Sequence, residues 1–273
     1  MIWALVVVVV SVVAAFLVGV FAYVGASYAF ARRHVPSAFA ADVREASREL
    51  LWALLTQPLL PLFYFVGHRM ARATTAEGSA RTRRPVVFVH GYAQNRVGFI
   101  AIARALRRRG FHDLYGFNYP WWATVAANTK RLAKYVERVA AESGAPRVDL
   151  VCHSMGGLIA AEYLRTKEGA ERVERCAAIA TPYAGVRWRG PIPGRAAPAL
   201  RTGLALVEAD VWTAPTKLLS VYSTHDNVVF PASTSSLARL GGRDLEVGRM
   251  GHLAILFDPR AAAAVGDFLS EES

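Results

Sequence analysis

Cysteine and lysine are scarce in these 273 residues, and the first 31 carry no charged side chain. The two cysteines, Cys152 and Cys176, cannot build a disulfide framework. Both fall in apolar stretches that read as buried strands, where a thiol acts as a small inert hydrophobe. No His/Cys/Asp cluster has metal-ligand spacing, so no catalytic metal is expected. A glycine-rich phosphate loop is also missing, and no cofactor is expected. The net charge is +11, and because lysine occurs only at 130, 134, 167 and 217, most of the positive charge is arginine. That balance suits an anionic surface such as phospholipid headgroups, or simply a solvated basic exterior. Nucleic acid is disfavoured: the run Arg81, Arg83, Arg84 is short and has no interleaved aromatics to stack on bases.

What is abundant is apolar residue at the N-terminus. Trp3 to Ala31 is 29 residues dominated by Val, Ala, Phe and Leu. About 20 apolar residues in a helix span a bilayer, so this stretch is long enough even when tilted. A cleaved signal peptide is the rival, given the small-x-small sequence Ala29-Phe30-Ala31. Its n-region lacks Lys and Arg, however, and its apolar run far exceeds the usual ~7–15 residues. The expectation is a retained anchor over 1–34. Arg32 and Arg33 follow it and, by the positive-inside rule, place the following chain in the cytoplasm.

Leu50–Gly67 is a second uncharged run, but Gln57, Pro58 and Pro61 interrupt it. Proline frees backbone groups that lipid cannot satisfy. An interfacial or re-entrant segment, or one packed on the domain, is therefore expected; a true span would put the rest of the chain on the other side. Before it, Pro36 and Ser37 can open a helix with Phe39, Val43, Ala46 and Leu50 on one face. Asp42, Arg44, Glu45 and Arg48 would then face water, and such a helix would either lie on the membrane surface or pack against the protein. Residues 35–84 thus read as a membrane-associated segment, with 71–85 as a polar linker.

From residue 85 to 273 the pattern is a strand–helix alternation. Val86–Val89 is a continuous apolar run, as expected of a strand buried on both faces. A helix carrying Phe99, Ile102 and Leu106 ends at Gly110. Further strands are expected over 111–119, 147–152, 173–180, 217–223 and 244–247. Helices are expected up to Gly144, over 155–165 and over 259–269. This predicts a mostly parallel sheet of about six strands covered by helices on both faces. Chemistry in such sheets sits beyond the carboxyl ends of the strands.

Cys152-His153-Ser154-Met155-Gly156-Gly157 follows one such strand and opens a helix. A sharp strand-to-helix turn strains the nucleophile's backbone and needs small residues beside it, which Gly156 and Gly157 supply. In these residues the chain resembles the α/β-hydrolase family, and within it small bacterial lipases. The resemblance covers about 85–270. Cys152 departs from the G-x-S-x-G pattern, where related lipases accept alanine.

The resemblance implies an α/β-hydrolase fold with Ser154 as nucleophile. His90-Gly91-Tyr92 resembles the family's HG-x motif, which implies that the N–H groups of Tyr92 and Met155 form the oxyanion hole. The family order is Ser, acid, His. Asp226, in the turn Ser223-Thr224-His225-Asp226-Asn227, takes the acid position. His252, in Gly251-His252-Leu253-Ala254-Ile255, takes that of the base. His90 and His153 are expected to be structural, and Asn95 to steady its loop.

Thr181-Pro182-Tyr183-Ala184-Gly185 resembles the lipases' TP-x-x-G stretch. Tyr183 in that stretch, and Trp121 at the end of the second strand, are expected to bind substrate. The segment 186–215, rich in proline and with Trp188 and Trp212, reads as a lid or acyl-binding wall. Together these readings predict an esterase or lipase acting on acyl esters, near or in a bilayer. An acyltransferase, a thioesterase and a non-catalytic binding module are the alternatives. Nothing in the sequence speaks to oligomeric state.

Overall fold

The computed structural model describes residues 2–38, 43–58, 69–71, 83–203 and 215–271. Two helices come first, α1 (Ile2–His34) and α2 (Val43–Thr56). The sheet follows, built from β1 (Arg69–Ala71), β2 (Val86–Val89), β3 (Leu114–Phe117), β4 (Val148–His153), β5 (Val173–Ile179), β6 (Lys217–Tyr222) and β7 (Arg243–Glu246). Its order is β1-β3-β2-β4-β5-β6-β7. Six strands are parallel, and β1 joins β3 antiparallel at the edge. This is the expected α/β-hydrolase fold. The edge strand is an addition: its three residues reach the start of the expected linker, and so short a strand leaves no periodic pattern.

Between strands lie α3 (Ile100–Arg108), α4 (Val125–Ser143), α5 (Met155–Leu164), the short α6 (Lys167–Arg172) and α7 (Ala197–Thr202), and finally α8 (Pro259–Ser270). The alternation of side chains along buried strands sorts the core into two layers. Val87, Val89, Leu150 and Cys152 face α4 and α5, against Leu132, Val136, Leu158 and Ile159. Val86, Phe88, Val151 and Val221 face the other way, against Ile102 and Leu106 of α3 and Val265 and Phe268 of α8. Local chemistry sets the ends. Thr124 caps α4 by accepting from Ala127 N–H, and Gly144 ends that helix in the left-handed conformation, φ 64°.

The chain runs from β2 outward to β3, then returns to place β4 on the other side of β2. Connections leaving β2 and β4 therefore diverge, which opens a crevice beyond their carboxyl ends. His90-Gly91-Tyr92 and Ser154 lie at those two ends.

The N-terminal hairpin packs on the same end of the sheet. Val24, Tyr28 and Ala31 of α1 bury against Phe230, and Val20 and Ala53 bury against Leu253. Trp52 of α2 stacks on Phe257 with ring centroids 3.7 Å apart. The expected water-facing side of α2 is wrong in part. Val43 is 84% exposed, whereas Glu45 and Glu49 are buried. Each glutamate has found a polar partner between residues 249 and 254, which a helical pattern alone does not disclose. Phe39, Asp42 and residues 59–67 of the apolar run 50–67 lie outside the described residues.

Candidate active site

Ser154 sits between β4 and α5 with φ 51° and ψ −124°. A non-glycine residue there carries strain of order ~1–3 kcal/mol, held in place by the packing around it. Two glycines make the turn feasible. A Cβ on Gly156 would stand 2.1 Å from the carbonyl oxygen of Val89, and one on Gly157 would stand 2.0 Å from Thr181 Oγ1. Helix α5 can thus pass close to both neighbouring strands.

Ser154 Oγ lies 2.9 Å from His252 Nε2. On the far side of the ring, His252 Nδ1–H donates to Asp226 Oδ2 at 2.8 Å. Asp226 is itself held by its turn: Oδ1 accepts from Val228 N–H at 2.8 Å and Val229 N–H at 2.7 Å. All three side chains are buried. Burial works against a charged imidazole, but the Asp226 carboxylate and, beyond it, Glu49 together raise the His252 pKa above its ordinary value. This arrangement can take a proton from Ser154 and stabilise the imidazolium that results.

The structure brings together Ser154, Asp226, His252, Tyr92 and Met155. Met155 is the first residue of α5, so its N–H belongs to the helix's unpaired first turn. Tyr92 lines the same cavity as Ser154. Gly91 beside it allows close contact, since a Cβ there would lie 3.0 Å from Ser154 Cβ.

Trp121 and Tyr183 do not line that cavity. Tyr183 is buried in the core beneath α5, next to Cys176. Trp121 stands edge-on behind Tyr92, with ring centroids 4.8 Å apart. Both follow strands, but the backbone turns each ring back into the fold. The aromatic that reaches the cavity from this region is Trp188, with Val186, Ile192, Pro193 and Leu200. Trp212 lies outside the described residues.

The remaining polar residues form a supporting frame. His90 Nδ1–H donates to the Gly91 carbonyl at 2.9 Å, and burial lowers its pKa to about 4, so it is neutral. His153 points away from the Ser154 hydroxyl. Its Nε2–H donates to the His252 carbonyl at 3.0 Å, while Nδ1 lies 2.8 Å from Gln94 Oε1. Asn95 caps the turn Arg96–Phe99 by accepting from Val97 N–H at 2.9 Å.

Two contributors are not foreseen from sequence. Glu49 of α2 accepts from Leu253 N–H and Ala254 N–H at 2.9 Å, directly after His252. Asn227 accepts from His252 N–H at 2.9 Å and donates to Ser27 Oγ of α1 at 2.7 Å. A polar neighbour such as Asn227 beside Asp226 is visible in the sequence; its partner 200 residues earlier is not.

Known proteins share this framework. A family profile described as "alpha/beta hydrolase fold" matches residues 84–195. A triacylglycerol lipase of Burkholderia plantarii is 31% identical over 152 residues, 52% of this chain and 41% of that lipase. The aligned region thus spans less than half of that relative's length. Among solved structures, the mature Bacillus licheniformis lipase BlEst2 superposes with a TM-score of 0.63 at 17% identity, over 75% of this chain and 98% of that one. Aspergillus fumigatus lipase B gives 0.61 at 21% identity, over 77% and 59%. With the sheet order, the strained serine turn and these likenesses together, the chain has the α/β-hydrolase fold.

Proposed function

We propose that this protein is a membrane-anchored serine hydrolase that cleaves carboxylic esters of acyl lipids. The observation that carries this reading is the unbroken path from Ser154 Oγ through the His252 ring to Asp226. His252 takes the Ser154 proton as Oγ bonds to the ester carbonyl carbon. The N–H groups of Tyr92 and Met155 receive the negative oxygen. The carbonyl then re-forms, the ester C–O bond breaks, and the proton passes from His252 to the departing alkoxide. Water, deprotonated by the same ring, frees the acid from Ser154.

Helix α1 supports the anchor. Residues Trp3–His34 are long and apolar enough to cross a bilayer. Arg32, Arg33 and His34 close its last turn and favour a cytoplasmic location for residues 85–273, the catalytic unit of this reading. Protease digestion of a C-terminal tag in intact cells tests the side: protection is expected, cleavage contradicts it. The relatives named as lipases support an ester substrate. A panel of p-nitrophenyl esters, offered to the purified full-length protein with water or alcohol as acceptor, tests the reaction. Hydrolysis of at least one ester is expected. A folded protein that cleaves none overturns the reading, and transfer to alcohol in preference to water turns it into an acyltransferase.

A further inference from the structure

The cavity above Ser154 and His252 has a volume of about 640 Å³, within the ~300–1,000 Å³ usual for small-molecule sites. One of its walls is not supplied by the hydrolase domain. Phe16, Gly19, Val20, Tyr23, Ala26 and Phe30 line it from α1. Their spacing of three and four marks one helical face, and from first to last they run ~21 Å along the axis. The opposite face of the same stretch is open: Val18 is 68% exposed and Phe21 56%.

This wall is tied to the catalytic loop by polar contacts, so it is no loose leader lying on the surface. Ser27 accepts from Asn227, whose other end holds the His252 amide. Tyr23 Oη–H donates to Glu49 at 3.3 Å, and Glu49 holds the amides of Leu253 and Ala254. Gly251 makes the approach feasible, since a Cβ there would lie 2.6 Å from Glu49 Oε2 and 2.7 Å from Tyr28 Oη. Phe30 meets Trp188 edge-on at 5.2 Å, which closes the wall against the 186–200 segment.

The length of α1 places this wall relative to a bilayer. Its 33 residues make a helix of ~50 Å, against ~30 Å of hydrocarbon. The excess at the C-terminal end is the part that packs on the domain. The cavity therefore stands where a span would leave the hydrocarbon, with an apolar face continuing into it.

We infer that α1 is both membrane span and acyl wall, so that the substrate is a long-chain acyl ester drawn from the bilayer along this helix; the inference rests on the ester-hydrolase reading. A cut at Ala29-Phe30-Ala31 would then remove one side of the site.

The test uses the full-length protein in nanodiscs, with p-nitrophenyl butyrate and palmitate. A Cβ added to Gly19 would meet nothing within 4 Å, so Gly19→Trp fills cavity without a clash at its base. Each buried methylene is worth about fourfold in affinity. Gly19→Trp is expected to lower the palmitate-to-butyrate ratio of kcat/KM about tenfold or more. Val18→Trp, on the open face, leaves that ratio unchanged. A diazirine-bearing palmitate should also crosslink to residues 16–30. An unchanged ratio in Gly19→Trp, or crosslinks confined to 186–200, overturns the inference. Wild type that cleaves neither ester but crosslinks to α1 defeats the hydrolase reading while the acyl wall stands. Loss of cleavage and crosslinking together defeats both.

Discussion

Glu49 and Leu253, 204 residues apart, meet at 2.9 Å where the Glu49 carboxylate accepts the amide hydrogen directly after His252. Burial raises the Glu49 pKa, opposed by the amides of Leu253 and Ala254 that bind its charged form. The ionised carboxylate helps to raise His252 in turn. The base must be neutral to accept a proton, so kcat/KM should fall as pH drops through the His252 pKa, above 6.5. Glu49→Gln removes a charge that favours imidazolium. The acid limb of the kcat/KM profile should move to lower pH. A lower rate with an unmoved limb would reduce Glu49 to a packing role.

Replacing Ser154 by alanine should cut kcat on any cleaved ester by ~10⁴–10⁶. The fold should survive, because the hydroxyl is small and its loss relieves no packing. Asp226→Asn should cost ~10⁴. Asparagine retains an oxygen for the Val228 and Val229 amides but offers His252 the wrong partner. Steady-state kinetics beside a thermal melt separate lost chemistry from lost fold.

The two glycines after Ser154 differ in what they face. A side chain on Gly156 meets the backbone at the end of β2, whereas one on Gly157 meets the Thr181 side chain, Cβ at 2.8 Å included, so that residue must shift but no backbone atom is struck directly. Gly156→Ala should therefore destabilise more, by ~3 kcal/mol or above, with Gly157→Ala nearer ~1–3 kcal/mol. Denaturant midpoints for the two variants give the order.

Cys152 and Cys176 are both free and buried. Burial pushes the Cys152 thiol well above its usual pKa, so the reactive thiolate is suppressed. Iodoacetamide should label neither cysteine in the native protein and both after denaturation. Native labelling of Cys152 would show that the elbow opens.

Much of this architecture can be read from residue pattern. Continuous apolar runs mark strands buried on both faces, and Ser154, Asp226 and His252 each fall at a strand end. Those signals are local, so a single chain displays them. What stays hidden depends on contacts between distant segments. Glu45 looks like the wet side of an amphipathic helix, and Glu49 gives no signal at all, because their partners, Arg249 and the amides at 253 and 254, come two hundred residues later. Tyr183 and Trp121 look like pocket walls because they follow strands, yet ring direction depends on how each loop turns. The reading of α1 is split for the same reason: composition gives only the length and apolarity a span needs, while packing puts one of its faces against the cavity.

The mechanism rests on activation of Ser154 by His252, and a fluorophosphonate probe reads this most directly. Intact mass and peptide mapping of the full-length protein should find one adduct, on Ser154, absent in Ser154→Ala and strongly slowed in His252→Ala. A folded wild type that takes up no probe, or an adduct that persists in Ser154→Ala, would show that Ser154 is not the activated nucleophile.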